Sequence, residues 1–102
     1  MEKACPVAGI INILGKKWAL WILKKLSENG KMRFNDLLNE IDRINSSVLS
    51  KRLKELEKAG LLKRKKFNEI PPRIEYSLTK AGKELIKCFK FLGDWAKKHG
   101  NN

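Results

Sequence analysis

Residues 45–78 read NSSVLSKRLKELEKAGLLKRKKFNEIPPRIEYSL, from Asn45 to Leu78, and their hydrophobic period changes once. Up to Lys58 the apolar positions Leu49, Leu53 and Leu56 fall within one narrow sector of a helix. Beyond Gly60, the residues Ile74, Tyr76 and Leu78 alternate with Arg73, Glu75 and Ser77, the two-residue period of a half-buried strand. Asn45 or Ser46 is placed to cap the helix, since a short side-chain oxygen satisfies amides that its first turn leaves free, and Gly60 is placed to end it. Leu61 to Phe67 supplies the partner strand. Pro71 and Pro72 cannot donate to a ladder, so the hairpin tip over 68–72 is expected to be an exposed loop.

Working towards the N-terminus, Asn35 is a good cap for a brief helix carrying Leu37, Leu38 and Ile41, and Asp42-Arg43-Ile44 makes a turn into the helix at 45–58. Two short capped helices joined this way outline a helix-turn-helix. Met32-Arg33-Phe34 reads as a short extended piece. A helix from near Lys16 to Leu26, ended by Ser27 to Gly30, is apolar nearly all round through Trp18-Ala19-Leu20-Trp21-Ile22-Leu23 and is expected to be the central, most buried one. Before it, Pro6 opens a helix with Val7, Ile10, Ile11 and Leu14, interrupted at Gly15. After the hairpin, Thr79 caps a last helix reaching about Lys98, with Leu85, Ile86, Cys88, Phe89, Leu92 and Trp95 on a broad apolar face. The expected fold is mainly α with a small β-hairpin: a single winged helix-turn-helix domain over residues 1–102. The apolar face of the last helix is too wide for so small a domain to cover alone. It therefore points to a homodimer through the first and last helices, with Val7, Ile10, Ile11, Leu14, Phe89, Leu92 and Trp95 at the interface.

Charge gives the first indication of function. Twenty-three Lys and Arg stand against eleven Asp and Glu, a formal +12 on 102 residues. Such a balance favours a polyanion, nucleic acid before an anionic membrane, although a merely soluble basic protein has the same composition. Position decides between these readings. Residues 43 to 73 hold ten Lys and Arg against three acids. On the helix at 45–58, Ser47, Lys51, Lys54 and Lys58 lie opposite the leucines, flanked by Ser50. A helix that reads bases needs this division, because the inner stripe anchors it while hydroxyls and cations meet base edges and phosphates. A solvated amphipathic helix shows the same stripe, so the hairpin carries the weight. Lys63-Arg64-Lys65-Lys66 and Arg73 make it basic, and protecting an edge strand with lysines does not require five cations. The expected partner is double-stranded DNA, contacted by Arg33, Arg43, Ser46, Ser47, Ser50, Lys51, Lys54, Arg64, Lys66 and Arg73 as one continuous surface, the wing lying along the backbone or in the minor groove. The alternative is a winged helix that binds RNA by shape or serves as a protein-interaction module.

Catalysis is not expected. His99 stands alone near the terminus, and no phosphate loop, dinucleotide fingerprint or metal-ligand pair occurs; Glu55 and Glu57 point to different helix faces and are expected to pair with neighbouring lysines. No cofactor or metal is implied. Trp18, Trp21, Phe89, Phe91 and Trp95 could form a ligand cage, but core or dimer packing accounts for them more simply. The start of the chain has no secretory pattern, and the longest apolar stretch, Trp18 to Leu23, is far too short to span a bilayer. Two cysteines make no disulfide framework, so a cytoplasmic protein without membrane contact is expected.

Several stretches resemble the HxlR family of prokaryotic regulators, relatives of the MarR-type winged helices. They are Cys5-Pro6, Gly15-Lys16-Lys17-Trp18 with Ile22-Leu23, Arg33-Phe34-Asn35-Asp36-Leu37, the run Leu49 to Glu57 with Gly60-Leu61, and, most specifically, Pro71-Pro72-Arg73-Ile74-Glu75-Tyr76-Ser77-Leu78-Thr79. Asp42-Arg43 departs from the Pro-Gly frequent in the turn of that family. The resemblance implies a homodimeric repressor or activator at a palindromic or repeated site. It also implies redox or electrophile sensing through Cys5, in some members completed by a second Cys of the other subunit, a role open to Cys88. A thiol beside a helix N-terminus is stabilised as thiolate, which supports Cys5. Cys88, on the apolar face, reads more simply as core. The sequence specifies no small-molecule effector.

Overall fold

The leucines that set the period of residues 45–58 are all buried, none more than 2% exposed. The computed structural model describes residues 8–100. Its elements are α1 (Ala8–Leu14), α2 (Ala19–Asn29), β1 (Lys31–Arg33), α3 (Phe34–Glu40), α4 (Ser46–Lys58), β2 (Leu62–Phe67), β3 (Arg73–Leu78) and α5 (Lys80–Lys98). Helix α3, the turn at 41–45 and α4 form the helix-turn-helix; β2 and β3 form the wing.

Helix α4 is held at both ends by groups its sequence supplies. The Asn45 Oδ1 accepts from the Val48 amide at 2.9 Å. At the other end the Gly60 and Leu61 amides donate back to the Glu57 and Leu56 carbonyls, both at 3.0 Å, with Gly60 left-handed at φ 81° and Leu61 buried beside Leu56. This double closure satisfies carbonyls the helix would otherwise leave free, and glycine adopts its φ without a Cβ penalty. The core joins these leucines to Ile22, Leu23, Leu26, Leu37, Tyr76 and Leu78, and no polar side chain is buried among the described residues. Each fully buried aliphatic side chain contributes roughly 2 kcal/mol of transfer free energy.

Four local expectations are corrected. Helix α3 starts at Phe34, capped by Arg33 rather than Asn35: the Arg33 amide donates to the Asp36 carboxylate at 3.1 Å, an anion at the positive end of the helix. Helix α2 starts at Ala19, not Lys16, because Trp18 is left-handed at φ 78° and residues 15–18 turn the chain. Nor is α2 buried all round. Ala19, Ile22, Leu23 and Leu26 face the core, while Leu20 and Trp21 are 41% and 53% exposed, since no layer of this small domain packs on that side. Finally, Cys88 is exposed instead of packed in the core.

Three strands rather than two make the sheet. The order is β1-β3-β2, all antiparallel, with Met32 and Arg64 both opposite Tyr76. Thr79 ties α5 to this frame: its Oγ accepts from the Gly82 amide at 3.0 Å and donates to the Gly60 carbonyl at 2.6 Å, while its own amide donates to the Leu61 carbonyl at 3.1 Å. Leu85 and Ile86 then pack on the core, and Phe91, Leu92 and Trp95 project outward at 73%, 64% and 55% exposure.

Candidate nucleic-acid interface

The inner leucines orient α4 so that Ser46, Ser47, Lys51 and Lys54 are exposed, with Ser50 half-buried beside them. Arg43 is exposed in the turn that leads into the helix, at φ 69°. A left-handed backbone at that position is what glycine would provide, and arginine adopts it at a cost of about 1 kcal/mol. The turn thus holds a left-handed residue without a glycine.

Few cations among the described residues are ion-paired. Ion pairs engage Lys24 and Lys25 with Glu28, Lys25 with Glu40, Arg52 with Glu55, and Arg73 with Glu69 and Glu75. Among the described residues no carboxylate lies within ion-pair distance of Lys51, Lys54, Arg64 or Lys66. Their charge is left uncompensated, as a phosphate-binding surface requires. Glu55 takes Arg52, 3.0 Å away on the same helix, rather than the lysine expected for it.

The wing does not present its cations as one surface. Side chains alternate across a strand, and the register places Arg64 and Lys66 opposite Tyr76 and Ile74 on the sheet face that carries Leu62 and Leu78 and packs on the helices. Lys63, Lys65 and Phe67 alternate to the reverse face, opposite Ser77, Glu75 and Arg73. The hairpin borders a cleft of about 780 Å³, lined on the wing by Lys63, Arg64, Lys65 and Phe67 and reaching Leu26 and Ser27 of α2 and Lys83 and Ile86 of α5. Arg73, opposite Phe67 in the ladder, holds its guanidinium over the Phe67 ring, 4.0 Å from the centroid, with Glu69 at 3.1 Å and Glu75 at 3.3 Å. Arg33 also lies opposite Glu75 in the ladder. Of the ten residues assigned to DNA from the sequence, α4 and its turn bring together Arg43, Ser46, Ser47, Ser50, Lys51 and Lys54. The wing adds Arg64 and Lys66, while Arg33 and Arg73 lie on the far side of the sheet beside acids.

A second surface is apolar. Ile11 of α1 is 59% exposed; with Leu20, Trp21, Phe91, Leu92 and Trp95 it spans three helices that pack pairwise, α1 on α2 and α2 on α5. Ile10 and Leu14 are partly buried against the core and Phe89 is half-buried. Val7 and Cys5 lie outside the described residues. Leu20 and Trp21 were missed for this surface because an unbroken apolar run does not reveal which side meets the core. No helix among the described residues is long and apolar enough to cross a membrane.

Comparison with known proteins agrees with this fold. Residues 13–102 match the model of the HxlR-like helix-turn-helix family. An HTH-type transcriptional regulator of Methanothermobacter thermautotrophicus is 38% identical over 101 residues, which is 99% of this chain and 76% of that protein. The reduced form of the transcriptional regulator YodB from Bacillus subtilis superposes with a TM-score of 0.83 at 31% identity, covering 94% of each chain. The redox regulator HypR in its oxidised form gives a TM-score of 0.77 at 30% identity, covering 92% of this chain and 96% of that one.

Proposed function

Because this chain belongs to the HxlR-like helix-turn-helix family, whose members compared above are transcriptional regulators and not enzymes, we propose that it binds duplex DNA as a homodimer and reads sequence through the outer face of α4. The observation that carries this reading is the outer face of α4, where Ser46, Ser47, Lys51 and Lys54 stand exposed opposite the buried Leu49, Leu53 and Leu56; Lys51 and Lys54, like Arg64 and Lys66 of the wing, have no ion-pair partner among the described residues. Ser46, Ser47, Ser50 and Lys51 take the base edges. Small hydroxyl side chains at the start of α4 let it approach the groove closely, and its first amides add a phosphate site. Arg43, Lys54, Arg64 and Lys66 take phosphates.

Titration with random duplex DNA, duplex RNA and single strands at two salt concentrations tests the ligand class; duplex RNA bound as tightly as duplex DNA would favour the RNA-binding alternative. Site selection from a random duplex pool tests the assignment of roles. Lys51→Ala is expected to reorder the ranking of sites. Arg64→Ala should weaken all sequences alike and reduce the salt slope by about one unit, the loss of one phosphate contact. Arg73→Ala, removing a cation already held by two carboxylates, should change the slope by less than Arg64→Ala. A reordered ranking from Arg64→Ala with none from Lys51→Ala would reverse the roles.

The dimer forms through the exposed apolar surface of α1, α2 and α5. Cys88 lies four and seven residues before Leu92 and Trp95, on the outward face of α5 that would meet the partner. Cys5 and Cys88 are then candidates for thiol control of DNA binding, as the similarity to the redox regulator HypR suggests. The check is DNA affinity with and without diamide for wild type and Cys5→Ser. A loss of affinity that needs Cys5 is expected. Equal affinity in all four conditions, with Cys5 unmodified by mass spectrometry, would leave it without a sensing role.

A further inference from the structure

Arg52 lies on α4 but takes no part in either stripe described above. Its side chain is only 15% exposed. The Nε donates to the backbone carbonyl of Lys17 at 2.9 Å, across thirty-five positions of sequence, and Nη1 holds the Glu55 carboxylate at 3.0 Å. Lys17 belongs to the turn between α1 and α2. Around it, the Lys16 carbonyl accepts from the Ala19 amide and the Trp18 carbonyl from the Ile22 amide, at 3.2 and 3.0 Å, so local amides serve its two neighbours. The carbonyl between them faces the guanidinium of Arg52. Trp18, next in the chain, holds the left-handed backbone that starts α2. Glu55 sits one turn along α4 and fixes the far side of the same planar group, so the guanidinium is gripped by two acceptors in fixed directions.

We propose that Arg52 is a positioning residue that sets the orientation of α4 against the α1–α2 turn, and thereby the angle at which α4 presents its outer face to a base sequence. The inference rests on the reading of α4 as the base-reading helix. The leucine stripe presses α4 onto the core but, being apolar and non-directional, leaves rotation and sliding soft. A charge-assisted hydrogen bond to backbone is directional, and here it joins α4 to the segment that leads directly from α1, a helix of the proposed dimer surface. Half-site spacing and helix angle are then set by one bonded link as well as by packing.

The test uses Arg52→Lys and Arg52→Gln in the full chain, with two readouts. The first is affinity for a site selected by the wild type, relative to random duplex. Both variants are expected to lose roughly tenfold in selected-site affinity, with random-duplex affinity and salt slope changed by less than one phosphate contact would change them. Lysine keeps the charge but cannot hold two acceptors in a plane, so full rescue by Arg52→Lys would overturn the proposal in favour of a simple phosphate ligand. The second readout needs no DNA. In protein labelled with 5-fluorotryptophan, the Trp18 fluorine resonance, assigned through Trp18→Phe, should shift or broaden in both variants while that of Trp95 stays fixed. An unchanged Trp18 resonance overturns the link itself. If the wild type selects no site, the base-reading function fails, whereas the Trp18 resonance still reports separately whether Arg52 holds the turn.

Discussion

Gly82→Ala is expected to lower stability by about 3 kcal/mol, a large part of what a domain of this size possesses. A Cβ built on Gly82 runs into the Leu61 carbonyl, and the Leu78 side chain closes the space at 3.3 Å. The obstacle is backbone, not the far end of a flexible side chain. Moreover, the Leu61 carbonyl accepts the Thr79 amide, and Thr79 caps α5 through the Gly82 amide. Relieving the clash therefore means parting the start of α5 from the end of α4 and breaking the cap in the same movement. Thermal or urea unfolding followed by circular dichroism measures the loss. Gly93→Ala, in the same helix with no heavy atom within 4 Å of its new Cβ, is the control. It should cost nothing and gain up to about 1 kcal/mol from helix propensity. Equal stability of the two variants would mean that α5 does not seat on Leu61 as described.

Trp95→Asp is expected to dissociate the proposed dimer while leaving the monomer folded. Trp95 is 55% exposed and contacts the His99 ring, 4.8 Å between centroids, rather than the core. An aspartate there costs the intrachain fold little. In a two-fold interface it appears twice and places an unpaired carboxylate in an apolar contact on both subunits. Light scattering should then give 11.8 kDa in place of twice that mass, and affinity for a two-half-site operator should fall at least about a hundredfold, because the second half-site is no longer held at high effective concentration. Phe91→Asp, more exposed still, should act in the same direction. A variant that stays dimeric places the interface elsewhere, and one that unfolds places Trp95 in the intrachain core.

Much of this protein was legible in the order of its residues, because the signals involved are local. The Leu49-Leu53-Leu56 stripe, the Asn45 cap, the Gly60 stop and the alternation of Ile74, Tyr76 and Leu78 each depend on neighbours a few positions away. Backbone geometry turns such spacings directly into a helix face or a strand face. Net charge and its concentration between residues 43 and 73 were equally readable, since charge needs no coordinates to be counted.

What the sequence could not determine depends on partners far along the chain. Nothing near Met32 shows that it will pair with Tyr76, so β1 stayed a lone extended piece. Leu20 and Trp21 lie in an apolar run whose pattern does not distinguish the side packed on the core from the side left bare. Pairing of charges behaves the same way. Arg73 looked like one of five equivalent wing cations until the ladder register put Phe67 beneath it and carboxylates on either side. Arg52 and Lys17 meet only because the turn at Trp18 and the seating of α4 bring a carbonyl and a guanidinium within 2.9 Å. Sequence settled the helices, the wing hairpin and where the positive charge is concentrated. Tertiary structure decided which cations are taken up by carboxylates, because an ion pair depends on distance in space, and the chain sets that distance only once it is folded.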